Sequence, residues 1–210
     1  MAAYRTLASP VAIEIPPIKK SRFRAEAAPV ATEAEAMAHV ETIRARHPDA
    51  RHHCFAWRMQ EGDSGWRAHD AGEPGGTAGM PILARIDGQK LRGLVVVVTR
   101  WFGGTKLGRG GLIRAYGAAA AAALEAADVV EVRDTVEVRL RFTYSDQGAV
   151  DSVLRAMGLT PCAADYGEQV VLTVAVPIED EAAMAQQLRD GTSGRVGVDQ
   201  GSAGPAAYGH

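Results

Sequence analysis

The sequence predicts an α+β protein with two domains, and three observations support this prediction. The chain has 210 residues, which is enough for two small hydrophobic cores. Five aliphatic residues in a row open a predicted strand over 94–99, and a long alanine-rich helical segment follows. Beyond residue 131 the patterns follow the order strand, helix, strand, strand, helix, strand, which is typical of a ferredoxin-like βαββαβ domain. We therefore expect an N-terminal extension over 1–17, a first domain over 18–130, a second domain over 131–199 and a flexible tail over 200–210.

The first domain alternates predicted strands and helices. Residues 23–30 are short and mixed and end near Pro29, so we predict an edge strand there. Thr32 and Glu35 have the spacing of a capping box, and apolar residues at helical spacing follow, which predicts a helix over 33–47. The remaining predicted elements are a strand over 53–59, a glycine-rich loop over 60–76 with a short strand near Trp66, a helix over 77–86, the buried strand over 94–99 and a helix over 111–127.

The second domain begins with the most regular strand pattern in the chain. Residues 135–142 alternate apolar and charged side chains, which predicts a half-buried strand. Residues 146–157 carry apolar side chains at helical spacing. The remaining predicted elements are strands over 159–164 and 169–176, a helix over 179–189 and a short last strand over 195–198. The Gly-, Ala- and Ser-rich end predicts the flexible tail.

Composition excludes several classes of protein. The two cysteines, Cys54 and Cys162, give neither a disulfide framework nor a zinc-binding pattern. No apolar run is long enough to cross a bilayer, and residues 1–17 do not resemble a signal peptide. We therefore expect a cytoplasmic protein without a membrane partner, metal or cofactor, present as a monomer or weak oligomer.

Charge is distributed unevenly along the chain. The net charge is −2, but residues 1–130 contain 17 Lys and Arg against 13 Asp and Glu, a net of +4. Residues 131–210 contain 6 against 12, a net of −6. An anionic partner would therefore meet the first domain. The alternative is a chance difference between two small domains.

The strongest local signal is a glycine-rich basic loop over 100–111, between the buried strand and the alanine-rich helix. Glycine lets a ligand approach the main chain, and a helix N-terminus offers unpaired N–H groups, so this loop predicts an anion site. The alternative is that its glycines only permit a tight turn. The loop fits neither the Walker nor the Rossmann pattern. The candidate binding residues are Arg100, Gly103, Gly104, Lys106, Gly108, Arg109, Gly110, Gly111 and Arg114.

A second loop, residues 70–79, carries two carboxylates. Asp70 and Glu73 could act as acid and base or hold a divalent metal with water, but they could equally cap backbone N–H groups. Gly76 belongs to the same loop, and Thr77 is a candidate cap for the next helix.

Two further segments offer candidate functional residues. His52 and Cys54 share one face of a predicted strand and could form a base and a nucleophile, although an inert core thiol is the alternative. Lys20 and Arg22, beside Phe23, could contact phosphate while the ring stacks on a base. A solvated charge run is the alternative for this segment.

Four segments, in this order, resemble the bacterial, two-domain branch of the IMPACT (YigZ-like) family: Lys20-Ser21-Arg22-Phe23, Arg51-His52-His53-Cys54, Asp70 to Gly79, and Arg100-Trp101-Phe102-Gly103-Gly104 to Leu112. The resemblance covers residues 18–198. It implies a first domain similar to domain IV of elongation factor G and to ribosomal-protein domains, with a β-sheet covered by two helices. It also implies a ferredoxin-like second domain similar to domain V of elongation factor G.

The resemblance also implies a link to translation or RNA, because eukaryotic members resemble regulators of translation initiation. Our leading hypothesis is a non-enzymatic protein that binds RNA, a ribosome or a translation factor through the glycine-rich basic loop. One alternative is a hydrolase or transferase for a small phosphorylated or peptide substrate, with Asp70, Glu73 and His52 in its cleft and the loop holding the anion. Another is that the loops are purely structural and that the acidic second domain binds a partner.

Overall fold

The computed structural model describes residues 3–60 and 65–208. Within them the chain divides into two compact units, residues 4–131 and 132–208. No described helix is both long enough and apolar enough to cross a membrane.

The elements of the first unit are β1 (Tyr4–Leu7), β2 (Val11–Ile18), β3 (Ser21–Pro29), α1 (Glu33–Arg46), β4 (His52–Arg58), β5 (Trp66–His69), α2 (Gly79–Gly88), β6 (Leu94–Trp101) and α3 (Gly108–Glu125). The unit is built on an antiparallel sheet whose strand order is β2-β3-β6-β4-β5. The apolar run predicted as a buried strand is β6, at the centre of this sheet. Its apolar side chains are uninterrupted because neighbouring strands on both sides and helices on both faces exclude water from it.

Helices cover both faces of this sheet. Cys54 and Ala56 of β4 belong to the core beneath α2 and α3, whereas Phe55 and Trp57 belong to the core beneath α1. Successive side chains of a strand point to opposite faces, so β4 contributes to both cores. The two helices expected from the resemblance correspond to one layer, and α1 adds a second layer on the other side.

The predicted capping box of α1 is present. The Thr32 hydroxyl accepts a hydrogen bond from the Glu35 amide at 3.2 Å. The Glu35 carboxylate in turn accepts from the Ala31 amide at 2.8 Å, one residue before the usual partner. These bonds satisfy backbone donors that the helix start would otherwise leave unpaired.

The second unit has the ferredoxin-like fold that the element order predicts. Its elements are β7 (Val129–Phe142), α4 (Gln147–Ala156), β8 (Pro161–Tyr166), β9 (Val170–Pro177), α5 (Glu181–Thr192) and β10 (Gly197–Tyr208). Short 3₁₀ turns precede both helices. The strands lie in the order β10-β7-β9-β8, which is the fourth, first, third and second strand of the unit.

Both ends of the chain differ from the expectation. Residues 4–7 and 11–18 form strands rather than an irregular extension, and the first residues of β2 alternate between half-buried and exposed. β2 tolerates Pro16 and Pro17 because it is the edge strand, where a missing N–H costs no ladder bond. The predicted edge strand, β3, is instead an inner strand.

The predicted flexible tail also differs from the structure. Residues 200–208 continue β10, and the Thr135 hydroxyl donates to the Gly204 carbonyl at 2.7 Å. Gly197 lies beside Arg141 and Gly201 beside Glu137, so β10 runs antiparallel to β7. Glycine suits position 201, because a Cβ there would lie 3.1 Å from the Glu137 carbonyl oxygen. Residues 209–210 lie outside the described residues.

Gly79, at the start of α2, provides a test of the packing in the first unit. A Cβ at this position would lie 2.4 Å from the His69 backbone nitrogen and 2.9 Å from the Ala68 carbonyl carbon. We predict that Gly79→Ala destabilises the protein by at least about 2 kcal/mol, because backbone atoms must move to admit the methyl group. The matched control is Gly88→Ala, whose Cβ would meet nothing within 4 Å. If both variants had the same urea unfolding midpoint, the close packing at Gly79 would be contradicted.

Candidate functional site

A buried ion pair lies where β6 ends. Nη1 of Arg100 donates to Glu73 Oε1 at 2.6 Å, and each side chain is only 5% exposed. The Tyr116 hydroxyl donates to the same Oε1 at 2.8 Å. Nη2 of Arg100 donates to the Ser21 hydroxyl at 3.3 Å. This network joins β6, the loop before α2, α3 and β3 in one place.

Gly103 fixes the path of the chain just after β6. Its amide donates to the Ser21 hydroxyl at 3.2 Å. A Cβ here would lie 2.0 Å from the carbonyl carbon of Lys20, so only glycine fits. Lys19 and Lys20 form the two-residue turn between β2 and β3 and have positive φ angles of 47° and 65°. The contact therefore places two exposed lysines beside the glycine-rich loop.

Phe102 is the exposed aromatic ring of this region, with a residue exposure of 53%. The Arg100 guanidinium lies 5.4 Å from the centre of its ring and 5.5 Å from that of Phe23. Because the ion pair fixes Arg100, the cation supports the Phe102 ring by cation–π attraction. An aromatic ring that is both exposed and supported is suited to stacking on a flat ligand.

Two clefts share Phe102 as a wall. Their volumes, about 370 Å³ and 430 Å³, lie within the usual range for small-ligand sites. The first cleft, here called the α3 cleft, is lined by Glu73, Pro74, Arg100, Phe102, Lys106, Leu107, Gly108, Arg109 and Leu112. The second, here called the Asp49 cleft, is lined by Asp49, Arg51, His52, Trp101 and Phe102.

The α3 cleft is electropositive. The helix begins after Leu107, with no side-chain cap and no acidic residue in its first turn. Lys106 and Arg109 are exposed at this point, and Nη2 of Arg109 donates to the Gly75 carbonyl at 3.1 Å. Two cations and the positive end of the helix dipole therefore act in the same direction.

The other residues predicted for anion binding occupy different environments. Arg22 is exposed, pairs with Glu14 at 2.8 Å and lies 4.8 Å from the Trp101 ring. Gly104 and Gly108 have positive φ angles of 86° and 72°, which favour glycine. Gly110 and Gly111 lie in the first turn of α3, and Arg114 is exposed one turn later. Arg100, by contrast, is buried and bonded within the protein, so it holds the Phe102 ring in place rather than contacting a ligand itself.

Asp70 caps α2 rather than standing free in a cleft. Its carboxylate accepts from the amides of Gly76 at 2.7 Å and of Ala78 and Gly79 at 2.9 Å each. Burial acts to raise the pKa of Asp70, but the three amide bonds outweigh it and lower this pKa below its ordinary value. Thr77, the predicted cap, donates instead to the Pro74 carbonyl at 2.6 Å. Both carboxylates of the loop, Asp70 and Glu73, are therefore engaged inside the protein.

Cys54 has the environment of a core thiol. It is fully buried, and its Sγ donates to the Asp70 carbonyl at 3.0 Å. Burial raises its pKa to about 12, so little thiolate forms near neutral pH. Burial also raises the pKa of Tyr116 well above its ordinary value. The environment thus favours the inert-thiol alternative over a nucleophile.

The two adjacent histidines face opposite sides of the sheet, as strand geometry predicts. Nδ1 of His52 lies 3.0 Å from the Ala71 carbonyl, and Nε2 of His53 lies 3.2 Å from the His47 carbonyl. Burial lowers the pKa of His53. Within residues 3–60 and 65–208, no cluster of three His, Cys, Asp or Glu side chains is placed to hold a metal.

Sequence reasoning did not predict the roles that Ser21, Tyr116, Asp49 and the exposed Phe102 ring have in this site. Ser21 accepts from both Arg100 and Gly103, Tyr116 anchors Glu73, and Asp49 lines the second cleft. A lone tyrosine within an alanine-rich helix was a usable signal, since a buried hydroxyl needs a partner. No pattern near Ser21 or Asp49 indicated the long-range partner.

The fold and the site define a class: a two-unit α+β protein with a glycine-rich basic loop at the end of a buried central strand. Residues 19–124 match the Impact N-terminal domain, and residues 140–195 match a domain of unknown function, DUF1949. The chain belongs to the IMPACT family, as the resemblance predicted.

Curated relatives and a solved structure agree with this assignment. The chain is 36% identical to IMPACT family member YigZ of Escherichia coli, over 92% of this chain and 96% of that protein. It is 35% identical to IMPACT family member YvyE of Bacillus subtilis, over 88% and 85%, and 40% identical to an IMPACT family member of Thermus thermophilus, over 87% and 99%. A crystal structure of a hypothetical protein, 36% identical, aligns over 94% of this chain and 97% of that one with a TM-score of 0.64.

The contribution of the Arg100–Glu73 ion pair to stability can be tested by substitution. Glu73→Gln leaves the charge of Arg100 buried without its partner, so we expect a loss of about 3–5 kcal/mol in the free energy of unfolding. Glu73→Leu and Arg100→Met each leave one buried charge unpaired, whereas the double variant removes both charges and should cost less than the sum of these two single substitutions. Urea unfolding of the wild type, the two single variants and the double variant tests this. Strictly additive losses would show that the pair is not coupled.

Asp70 generates a second prediction, on pH dependence. Its pKa is lowered in the folded state, so its charge stabilises the fold at neutral pH, and this contribution is lost as the pH falls through the acid range. We expect Asp70→Asn to be less stable than the wild type at pH 7. The gap in unfolding free energy should shrink between about pH 5 and pH 2. A gap that is constant with pH would mean that the charge of Asp70 plays no part.

Proposed function

We propose that this chain binds single-stranded RNA on the surface around Phe102, as a translation-associated binding protein. The single observation that carries the proposal is the exposed, cation-supported Phe102 ring between two clefts. Proteins that bind unpaired nucleic acid combine such stacking rings with nearby cations. The family's resemblance to translation regulators supports ribosomal or messenger RNA as the source.

Charge around the ring fits a phosphate backbone. Lys19, Lys20, Lys106 and Arg109 are exposed around the glycine-rich loop, whereas Glu73 is buried. The acidic partner of Arg100 is thus turned inward, while the cations reach solvent. An RNA strand would release counterions on binding, so its affinity should fall steeply with salt.

The alternative of a hydrolase or transferase receives less support from the geometry. Asp70 caps a helix, Glu73 is bonded to Arg100 and Tyr116, and Cys54 is a buried thiol of raised pKa. Of the residues named for this alternative, His52 alone lines a cleft with a ring nitrogen open to a ligand. Acid–base catalysis needs a group that can exchange a proton with substrate. The same clefts are also large enough for a small anion, and comparing the binding of RNA with that of inorganic phosphate distinguishes the two ligands.

Substitution of Phe102 and of the two cleft cations tests this function. Phe102→Ala removes the stacking ring, and we expect an affinity loss of about 5- to 150-fold for a short labelled single-stranded RNA. Lys106→Ala/Arg109→Ala should lower the slope of log affinity against log salt by about 1.4, because two phosphate contacts are lost. Fluorescence anisotropy across a salt series measures both effects.

A matched control is available at the other end of β6. Arg5 and Lys90 are exposed and lie beside the start of this strand, roughly 25 Å from its far end. Arg5→Ala/Lys90→Ala removes the same charge and should leave RNA affinity nearly unchanged. Equal losses in both double variants would indicate attraction by overall charge alone. If the protein bound inorganic phosphate but not RNA, the result would favour the small-anion alternative.

A further inference from the structure

The Asp49 cleft has a chemical character different from that of the α3 cleft. Asp49, Arg51 and His52 line it, with Trp101 and Phe102 as aromatic walls. Phe102 is shared with the α3 cleft. A nucleotide stacked on Phe102 would thus place its neighbour at the Asp49 cleft. The inference below rests on the proposed function and adds base selection to it.

The carboxylate of Asp49 is held in a fixed orientation. Trp101 Nε1 donates to Asp49 Oδ2 at 2.8 Å. The Trp101 ring itself packs edge-on against His47 at 5.3 Å and beneath the Arg22 guanidinium at 4.8 Å. Among the residues that the structure describes, none donates to Oδ1. A positioned acceptor therefore remains at this cleft for a ligand donor.

His52 adds a second acceptor. Its Nδ1 lies 3.0 Å from the Ala71 carbonyl, which can only accept, so Nδ1 carries the proton. In the neutral ring Nε2 is then a hydrogen-bond acceptor. The cleft consequently presents a positioned acceptor at Asp49 Oδ1, to which the neutral form of His52 adds Nε2, and a ligand that fits must supply donors.

We infer that the Asp49 cleft selects an unpaired base with an exocyclic amino group over uracil. The amino groups of cytosine, adenine and guanine supply donors that suit a carboxylate. Uracil instead offers a single N–H between two carbonyl oxygens, which the Asp49 carboxylate repels. The flanking Arg51 is exposed and positioned on the same cleft to meet the phosphate of that nucleotide. Asp49 is thus the specificity-determining residue of the site.

Cytosine and uracil form the matched pair for the test, because they have the same size and differ chiefly in the amino group. We expect wild-type protein to bind oligo(C) at least about fivefold more tightly than oligo(U). Asp49→Asn keeps an oxygen for Trp101 but replaces the free acceptor by an amide donor. This variant should lose or invert the ratio, even if its overall affinity rises with the removal of negative charge.

The control substitution for Asp49→Asn is at Asp128. Asp128 is an exposed carboxylate beyond the C-terminal end of α3, so Asp128→Asn changes the charge equally and should keep the wild-type ratio. Equal binding of oligo(C) and oligo(U) by wild type, with binding still dependent on Phe102, would overturn base selection and leave the proposed function standing. The same ratio in wild type and Asp49→Asn would also overturn it. No binding of either oligonucleotide would overturn the proposed function itself.

Discussion

The buried ion pair between Arg100 and Glu73 is the interaction on which the rest of the site depends. Taking two charges out of water is costly, and the cost is offset only when the remaining donors and acceptors are also bonded. Tyr116 and Ser21 supply such bonds from α3 and β3, whereas the buried Nε of Arg100 has no hydrogen-bond partner among the described residues. The pair therefore fixes the loop before α2 against the central sheet. It also fixes the cation beneath Phe102, so an exposed ring acquires a defined position.

The two neighbouring helices α2 and α3 treat their N-termini in opposite ways. Both leave backbone N–H groups unpaired at the first turn. Asp70 satisfies those of α2 from within the chain. α3 has Leu107 before its first turn, with glycines and Arg109 within that turn. The loop before α2 thus caps its helix with the Asp70 carboxylate, whereas the glycine-rich loop leaves the positive end of the α3 dipole at the surface. This contrast explains why the charge that a ligand meets in the α3 cleft is positive.

The patterns that local chemistry determines were predictable from the sequence. The central strand, the capping box of α1 and the order of helices and strands in the second unit each depend on residues close together in the chain, and the structure confirms them. The role of Arg100 was not predictable, because it depends on partners 27 and 79 positions away. Pro29 suggested an edge strand, yet β3 is an inner strand, since its proline lies at the strand end where no further ladder bond is needed.

In the proposed RNA complex, the arrangement around Phe102 separates two physical tasks. Cations around the glycine-rich loop act at long range and without regard to sequence, because every phosphate carries the same charge. Hydrogen-bond acceptors in the Asp49 cleft act at contact distance and distinguish one base edge from another. The Phe102 ring lies between them and stacks on any base, since all bases have a flat face. In this proposal, a strand attracted by charge is aligned by stacking before its bases are compared, and the buried ion pair fixes the cation beneath the stacking ring.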